Sequence, residues 1–463
     1  MNLSPYLSQL ESIDIVRQLK DAELAYAFRH QLTQETVYHS LLNKSRREIH
    51  RAVAQVYEEF YRAELDQYAA LLAVHYAEAG DDVKTFEYAL RAGQVARRKN
   101  ANAEALANFS RARAIVPRLN PPREAVIHLY DARGDVLEVM GRHDAALENY
   151  AELHRIGVER NDRALELAAL MESITVHSAP TSKFNPDLAR QIAEQAFHIA
   201  DELNDRAAEA KILWNLMLLN GMTGNRDAAM RYGEQALFVA REKNLRETLA
   251  FILNDMYRPY IADGKLERGL EVLEEAQGLW KELDNQNMLT DNLSSLAMLY
   301  TFSGQYARAL AAHRDALATS EAIGNLWGQS FSRLVVGKIF FDHGEIAHAI
   351  DAMEKSVRYG QEAGFIVAEI WAQSDLAHLY TALGDQARGI EIEMRAREVS
   401  EKKFPRWLPY TLGTLARGYA AAGNLPEAEA YVKQAIAGLK ESEFYWEGDL
   451  IPYLAETEIA LAQ

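Results

Sequence analysis

The sequence contains no cysteine, which removes disulfides, thiolate zinc sites, iron–sulfur clusters and cysteine nucleophiles at once. Proline is scarce, 11 residues in 463, so little in the chain interrupts helices. No stretch approaches the roughly 18 uninterrupted apolar residues of a membrane-spanning helix. The start, MNLSPYLSQLESID, has no basic region followed by an apolar run, so it does not read as a signal peptide. Positive charge is also short: 50 Lys plus Arg stand against 67 Asp plus Glu, a formal charge of −17. That balance argues against binding a polyanion over most of the surface. Together these absences predict a cytoplasmic protein from a reducing compartment. At 49% hydrophobic residues, the chain still has ample material for a large interior.

A period is what the sequence does have. A glycine followed by an Ala- and acid-rich run recurs in MGRHDAALENY (Gly141), TGNRDAAMRYG (Gly224), DGKLERGLEVL (Gly264) and SGQYARALAAH (Gly304). It continues in HGEIAHAIDAM (Gly344), LGDQARGIEIE (Gly384) and AGNLPEAEAYV (Gly423), with steps of 40, 40, 40, 40 and 39 from Gly224 onward. The 83-residue gap from Gly141 to Gly224 holds two units with one glycine missing, near SAPTSKFNPDLARQIAEQA, where a Pro-bearing loop replaces the tight turn. Before each glycine apolar residues fall at helical spacing, as in Leu293, Leu296, Leu299 and Tyr300. After it comes a second amphipathic run, as in Tyr306, Leu310 and Leu317. Glycine between two helices is a C-cap that reaches the left-handed region without strain. Neither helix can hide its apolar stripe alone, so successive hairpins must stack. The expected fold is all-α: a right-handed α-solenoid of about nine hairpins, spanning 82–116, 121–158, 161–203, 205–242, 245–283, 285–323, 325–363, 365–403 and 405–440. A capping helix is expected near 443–461, and Pro259 is expected to kink the helix that contains it.

These units resemble the tetratricopeptide repeat (TPR): Ala297, Tyr300, Gly304, Tyr306, Ala309 and Ala316 occupy that family's small, aromatic and turn positions. Gly337, Phe340, Gly344, Ile346, Ala349 and Ser356 form a second copy, and Ala416, Tyr419, Gly423, Leu425, Ala428 and Ala435 another. The period is nearer 40 than the usual 34. The resemblance implies repeats over 66–440, preceded by a helical segment, 1–65, and followed by the cap, 441–463.

The beginning differs. Phe28, His30, Leu32, Gln34, Glu35, Tyr38, Ser40, Leu41, Leu42, Arg47 and His50 resemble the junction between winged-helix region and TPR array in bacterial STAND ATPase regulators. Leu72, His75, Tyr76 and Gly80 resemble that family's first repeat. The resemblance implies the sensor arm of a nucleotide-driven signalling or transcriptional switch, with His30 a nucleotide-reporting or a capping histidine. No G-x-x-x-x-G-K-[ST] phosphate loop exists in the sequence; the GK pairs at 264 and 337 lack its other residues. An enzyme is therefore not expected, and no cofactor is.

Other candidate chemistry is sparse. Glu345 and His348 have the E-x-x-H spacing of one helix face, but no companion ligands accompany them, so no metal is expected. Residues 84–123 carry nine basic residues against two acids, a collar for an acidic partner or simply solvated helix faces. Only Phe86, Tyr88 and Phe109 fall among them, too few to interleave with the basic residues, which weighs against single-stranded nucleic acid. The expected functional surface is the concave face lined by first helices. There Trp214, Phe251, Phe331 and Trp371 supply apolar anchors or hairpin core, and Asn254, Arg258, Lys338, His378 and Arg417 supply polar contacts. The cations among them would hold a carboxylate or phosphate, whereas the acidic surface elsewhere favours a basic partner; both readings stand at this level. The expected partner is a protein or peptide in the groove, with an ATPase or output domain at the N-terminal end; the alternative is a small-molecule effector. No membrane partner is expected.

Overall fold

The computed structural model describes residues 4–19, 26–439 and 447–462. Contacts divide the chain into two units, residues 1–120 and 121–463.

The first unit opens with α1 (Ser4–Ser12) and a two-stranded antiparallel ladder, β1 (Val16–Gln18) and β2 (Tyr26–Phe28), in which Val16 faces Phe28. Helical periodicity did not announce these strands, which are only three residues each. Helices α2 (Gln31–Ser40), α3 (Asn43–Phe60), α4 (Leu65–Ala79), α5 (Asp82–Arg98), α6 (Asn102–Arg113) and α7 (Val116–Leu119) follow. Helix α4 ends at Gly80, whose φ of 73° is the left-handed C-cap geometry. Helices α4 and α5 pair across this turn, and α5 also packs on α6, the pair expected over 82–116. Small residues at the contact (Ala69, Ala73, Ala89 and Ala92) let the two backbones approach.

The second unit is an all-α solenoid. Its hairpins are α8 (Arg123–Val139) with α9 (His143–Arg160), α10 (Arg163–Ser178) with α11 (Pro186–Leu203), and α12 (Arg206–Met222) with α13 (Arg226–Glu242). Next come α14 (Arg246–Ala262) with α15 (Leu266–Glu282), α16 (Gln286–Phe302) with α17 (Tyr306–Ile323), and α18 (Leu326–Asp342) with α19 (Ile346–Ala363). The last are α20 (Ile366–Ala382) with α21 (Gln386–Lys403) and α22 (Leu408–Ala421) with α23 (Leu425–Leu439), followed by α24 (Ile451–Ala462). Residue 440 of the last expected hairpin and residues 441–446 of the expected cap lie outside the described residues. Helix α14 runs on as helix through Pro259.

Even-numbered helices touch the next even-numbered helix as well as their hairpin partners, and so form the inner layer. Their burial shows it. In α20, Ile366, Val367, Ala368, Ile370, Ala372, Gln373, Ser374, Leu376, Ala377, Leu379 and Tyr380 are all buried, covering every face. An outer helix such as α15 buries only the stripe Gly269, Val272, Leu273, Ala276 and Trp280.

The solenoid also meets itself within this unit. The loop after α10, residues 179–185, reaches the α19–α20 connection. Thr181 forms an isolated antiparallel bridge with Phe365, and the Ile366 N–H donates to the Pro180 carbonyl at 3.3 Å. Phe184 packs on Phe404 with ring centres 4.7 Å apart, and the Lys403 ammonium donates to the Ser182 carbonyl at 3.3 Å. On the next element, buried His143 lies 3.3 Å by Nε2 from the Ala363 carbonyl, and Asp144 pairs with Lys183 at 2.6 Å. Residues about 180–220 positions apart are thereby joined in a seam.

Candidate functional site

The inner layer carries a ladder of polar links between helices one hairpin apart. Lys211 on α12 donates to Glu172 on α10 at 2.6 Å. The Trp214 indole N–H donates to Asp255 Oδ2 at 2.9 Å, while Arg258 donates to Asp255 Oδ1 at 2.7 Å. The Asn254 amide donates to Asp291 at 2.9 Å and accepts from Asn292 at 3.0 Å. Further on, Tyr410 donates to Asp375 at 3.4 Å, and Arg417 grips Glu458 with two bonds of 2.8 and 2.9 Å. Each link offsets part of the desolvation that the inner layer imposes on charge.

Electrostatics vary along this ladder. At α8–α12, Lys211 lies among the carboxylates of Glu172, Asp131, Asp135 and Glu138. Burial works to lower the Lys211 pKa, but the charge of Glu172, with Asp131 and Asp135 behind it, outweighs burial and raises it. Burial pushes Glu138 up to about 8 against its hydrogen bond from Tyr150, and the charges of Asp135 and Glu172 push the same way. Asp255 is raised to about 6 by burial, against the pull of Arg258. Arg258 keeps 32% of its side chain accessible although it lies in the inner layer. Burial also holds His378 down, to about 4, with Arg417 adding to the effect.

The candidate residues fall into two clusters. Trp214, Phe251, Asn254 and Arg258 belong to α12–α14. There Phe251 sits between Trp214 and Trp280, with ring centres 5.1 and 4.8 Å away. Lys338, Trp371, His378 and Arg417 follow on α18–α22. Lys338 and Trp371 line a shallow open depression with Met298, Phe302, Leu334 and Asp375. Phe331 stands apart, 4% exposed and packed toward Phe365 in the hairpin core. Arg258 and Arg417 are each already neutralised by a carboxylate of the ladder. Asp255, Glu138 and Glu458, which set the sign of the face, carried no motif. Their only signal is position, one helical turn or one 40-residue step from residues that were singled out.

Other singled-out groups are placed as follows. His30 is exposed at the N-cap of α2, where its backbone is extended and its side chain makes no cap bond. His348 meets Glu345 at 3.0 Å on an exposed face, and no group of three metal-ligating side chains occurs among the described residues. Much of the basic stretch is paired internally. Lys84 meets Glu58, Arg91 and Arg98 share Asp66, and Arg118 holds Asp82. No helix of the described residues is long and apolar enough to cross a membrane.

Comparison with known proteins follows the same geometry. Residues 293–323 match the family model of the tetratricopeptide repeat. The stretch covers α17 and the part of α16 from Leu293 onward. No curated protein matches the chain in sequence. Among solved structures, a Rap protein complexed with competence and sporulation factor superposes with a TM-score of 0.54. Its identity is 12%, over 82% of this chain and 99% of that one. A signal transduction ATPase with numerous domains (STAND) that has a tetratricopeptide repeat sensor, from Pyrococcus horikoshii, superposes with a TM-score of 0.51. Its identity is also 12%, over 100% of this chain and 72% of that one. At such identity the likeness is one of fold: a TPR-like helical scaffold.

Proposed function

We propose that the protein is a non-enzymatic binding scaffold that takes a protein or peptide segment on the inner face of its second unit, as the sensor arm of a STAND-type signalling or transcriptional regulator. The observation that carries the reading is the ladder itself. Polar and aromatic side chains are held by one another at the inner surface, prepared for contact before any ligand arrives. The two superposed proteins, one complexed with a factor and one carrying a TPR sensor, support it by analogy of fold. The resemblance of residues 28–50 to the STAND junction supports the regulatory role, with an ATPase or output domain as partner of the first unit.

The charge distribution refines the ligand. The surplus of acid around Lys211 favours a segment that brings positive charge to α8–α12, since Arg258 and Arg417 are already neutralised. A cation there favours ionised Glu138, whose pKa of about 8 leaves it protonated near neutrality. Affinity for such a segment therefore rises as pH climbs through that value. Short fluorescent peptides of graded net charge test this by anisotropy. Basic peptides should bind more tightly at pH 9 than at pH 7, and Glu138→Gln should flatten that dependence and weaken binding by about tenfold. Equal binding of acidic peptides would remove the polarity from the proposal.

A second reading, a small-molecule effector sensor, draws on the depression at Lys338, Trp371 and Asp375. A metabolite that fills it should raise the melting temperature by mass action, with no effect after Trp371→Ala.

A further inference from the structure

The seam is built unlike every other interface of the second unit. Hairpins join through long apolar stripes, whereas the seam is held by a single strand bridge, one small apolar cluster in which Phe184 and Met222 pack against Ile366, Ile370 and Phe404, and scattered polar bonds. The ion pair beside it, Asp144 with Lys183, joins α9 to the arm without crossing the seam, and with Asp144 78% accessible it contributes little. His143 meets the Ala363 carbonyl at 3.3 Å, a long bond, and its buried Nδ1 has no partner. Such a joint opens before the helices on either side of it unfold.

The loop that makes the seam does not depend on the seam for its own form. Thr181 Oγ1 donates to the Val176 carbonyl at 3.0 Å, and the ring of His177 bonds the Lys183 carbonyl at 2.8 Å by Nδ1. The Asn185 N–H returns to the His177 carbonyl at 3.0 Å. Residues 179–185 are thus tied back to α10 and form a stiff arm that can leave the α19–α20 connection intact.

We propose that this arm is a latch: the seam opens as one cooperative unit while the helices stay folded, freeing the two edges of the solenoid turn and widening the inner channel. The latch is a property of the chain alone, whatever the inner face binds. Opening breaks the bond from the Ile366 N–H to the Pro180 carbonyl and leaves that from the Asn185 N–H to the His177 carbonyl.

Residue-resolved hydrogen exchange of the full chain tests it. Ile366 should exchange at least about a hundredfold faster than Asn185 and than Ala377 within α20, after correction for intrinsic rates. Because the natural sequence has no cysteine, Ser182→Cys with Lys403→Cys, which meet across the seam, can be joined selectively by a short bismaleimide. That cross-link should slow Ile366 to the rate of Ala377. Phe184→Ala should speed Ile366 by a factor of about ten or more, leaving α12–α17 unchanged. Exchange of Ile366 at the Ala377 rate in the natural chain, or indifference of Ile366 to the cross-link, would overturn the proposal. A Phe184→Ala response confined to 179–185 would also overturn it, because it describes a fraying loop instead.

Discussion

Gly141 and Gly304 occupy the same place in the repeat, close α-hairpins at φ of 68° and 71°, and are followed at the same spacing by an Ala-Leu pair, Ala146-Leu147 and Ala309-Leu310. Their surroundings differ completely. A Cβ added to Gly304 meets nothing within 4 Å, while one added to Gly141 would stand 2.7 Å from the Glu362 carbonyl oxygen across the seam. The same contrast separates the glycines that end outer helices. Gly324 is open, whereas a Cβ on Gly364 would lie 3.1 Å from the ring of His143. One local conformational requirement thus recurs along the chain, and at two positions a long-range contact is built on it. A motif that repeats reports the turn; only the fold reports what the turn touches.

Substitutions can pull these two roles apart. The largest effect is expected at the turn glycines. Gly304→Ala should cost about 1 kcal/mol, the strain of a left-handed alanine, while Gly141→Ala should cost roughly 3 kcal/mol because a backbone oxygen must also move. Urea midpoints of the two variants measure the difference, and equal shifts would show that the seam contributes nothing at Gly141. A middling effect is expected at the connections between hairpins. Asparagine already holds the left-handed geometry at Asn204 and Asn244. Gly324→Asn should therefore stay within about 0.5 kcal/mol, and Gly364→Asn should lose about 1–2 kcal/mol by displacing His143.

The smallest effect is a pH dependence. Burial holds the His143 pKa below its ordinary value, against the pull of the Ala363 carbonyl, with nearby Lys183 lowering it and Asp144 raising it. A histidine whose folded pKa is depressed contributes its full stability above its unfolded pKa. That stability is lost as pH falls below about 6.5. The urea midpoint should decline between pH 7.5 and 5.5, and His143→Gln should decline less.

Much of this architecture is written in the sequence at short range. The 40-residue step from Gly224 to Gly384, the alanines at helix contacts and the Pro-bearing interruption before α11 each depend on neighbours within one or two hairpins. A second ladder was equally legible: Asn204, Asn244, Asp284, Gly324 and Gly364 recur every 40 residues and all have positive φ, closing the outer helices. What spacing alone conceals is partnership. Asn254 and Arg258 are visible by position, but that Asp255 holds both Arg258 and the Trp214 indole depends on the rotation of α12 against α14. The seam is further out of reach. Nothing local in His143 or Phe184 announces partners more than two hundred residues away; that meeting is the sum of small rotations contributed by every hairpin between them.

An open array tolerates duplication or loss of a module, since each module asks only for a neighbour. Here the stretch from Phe184 to Phe365 must contain a fixed complement of hairpins, because one more or one fewer would carry Phe365 past the arm that Thr181 extends to it. The chain is modular in its parts and indivisible in their number, so its evolution is confined to exchange of residues within modules between those two anchors, with growth left to the ends.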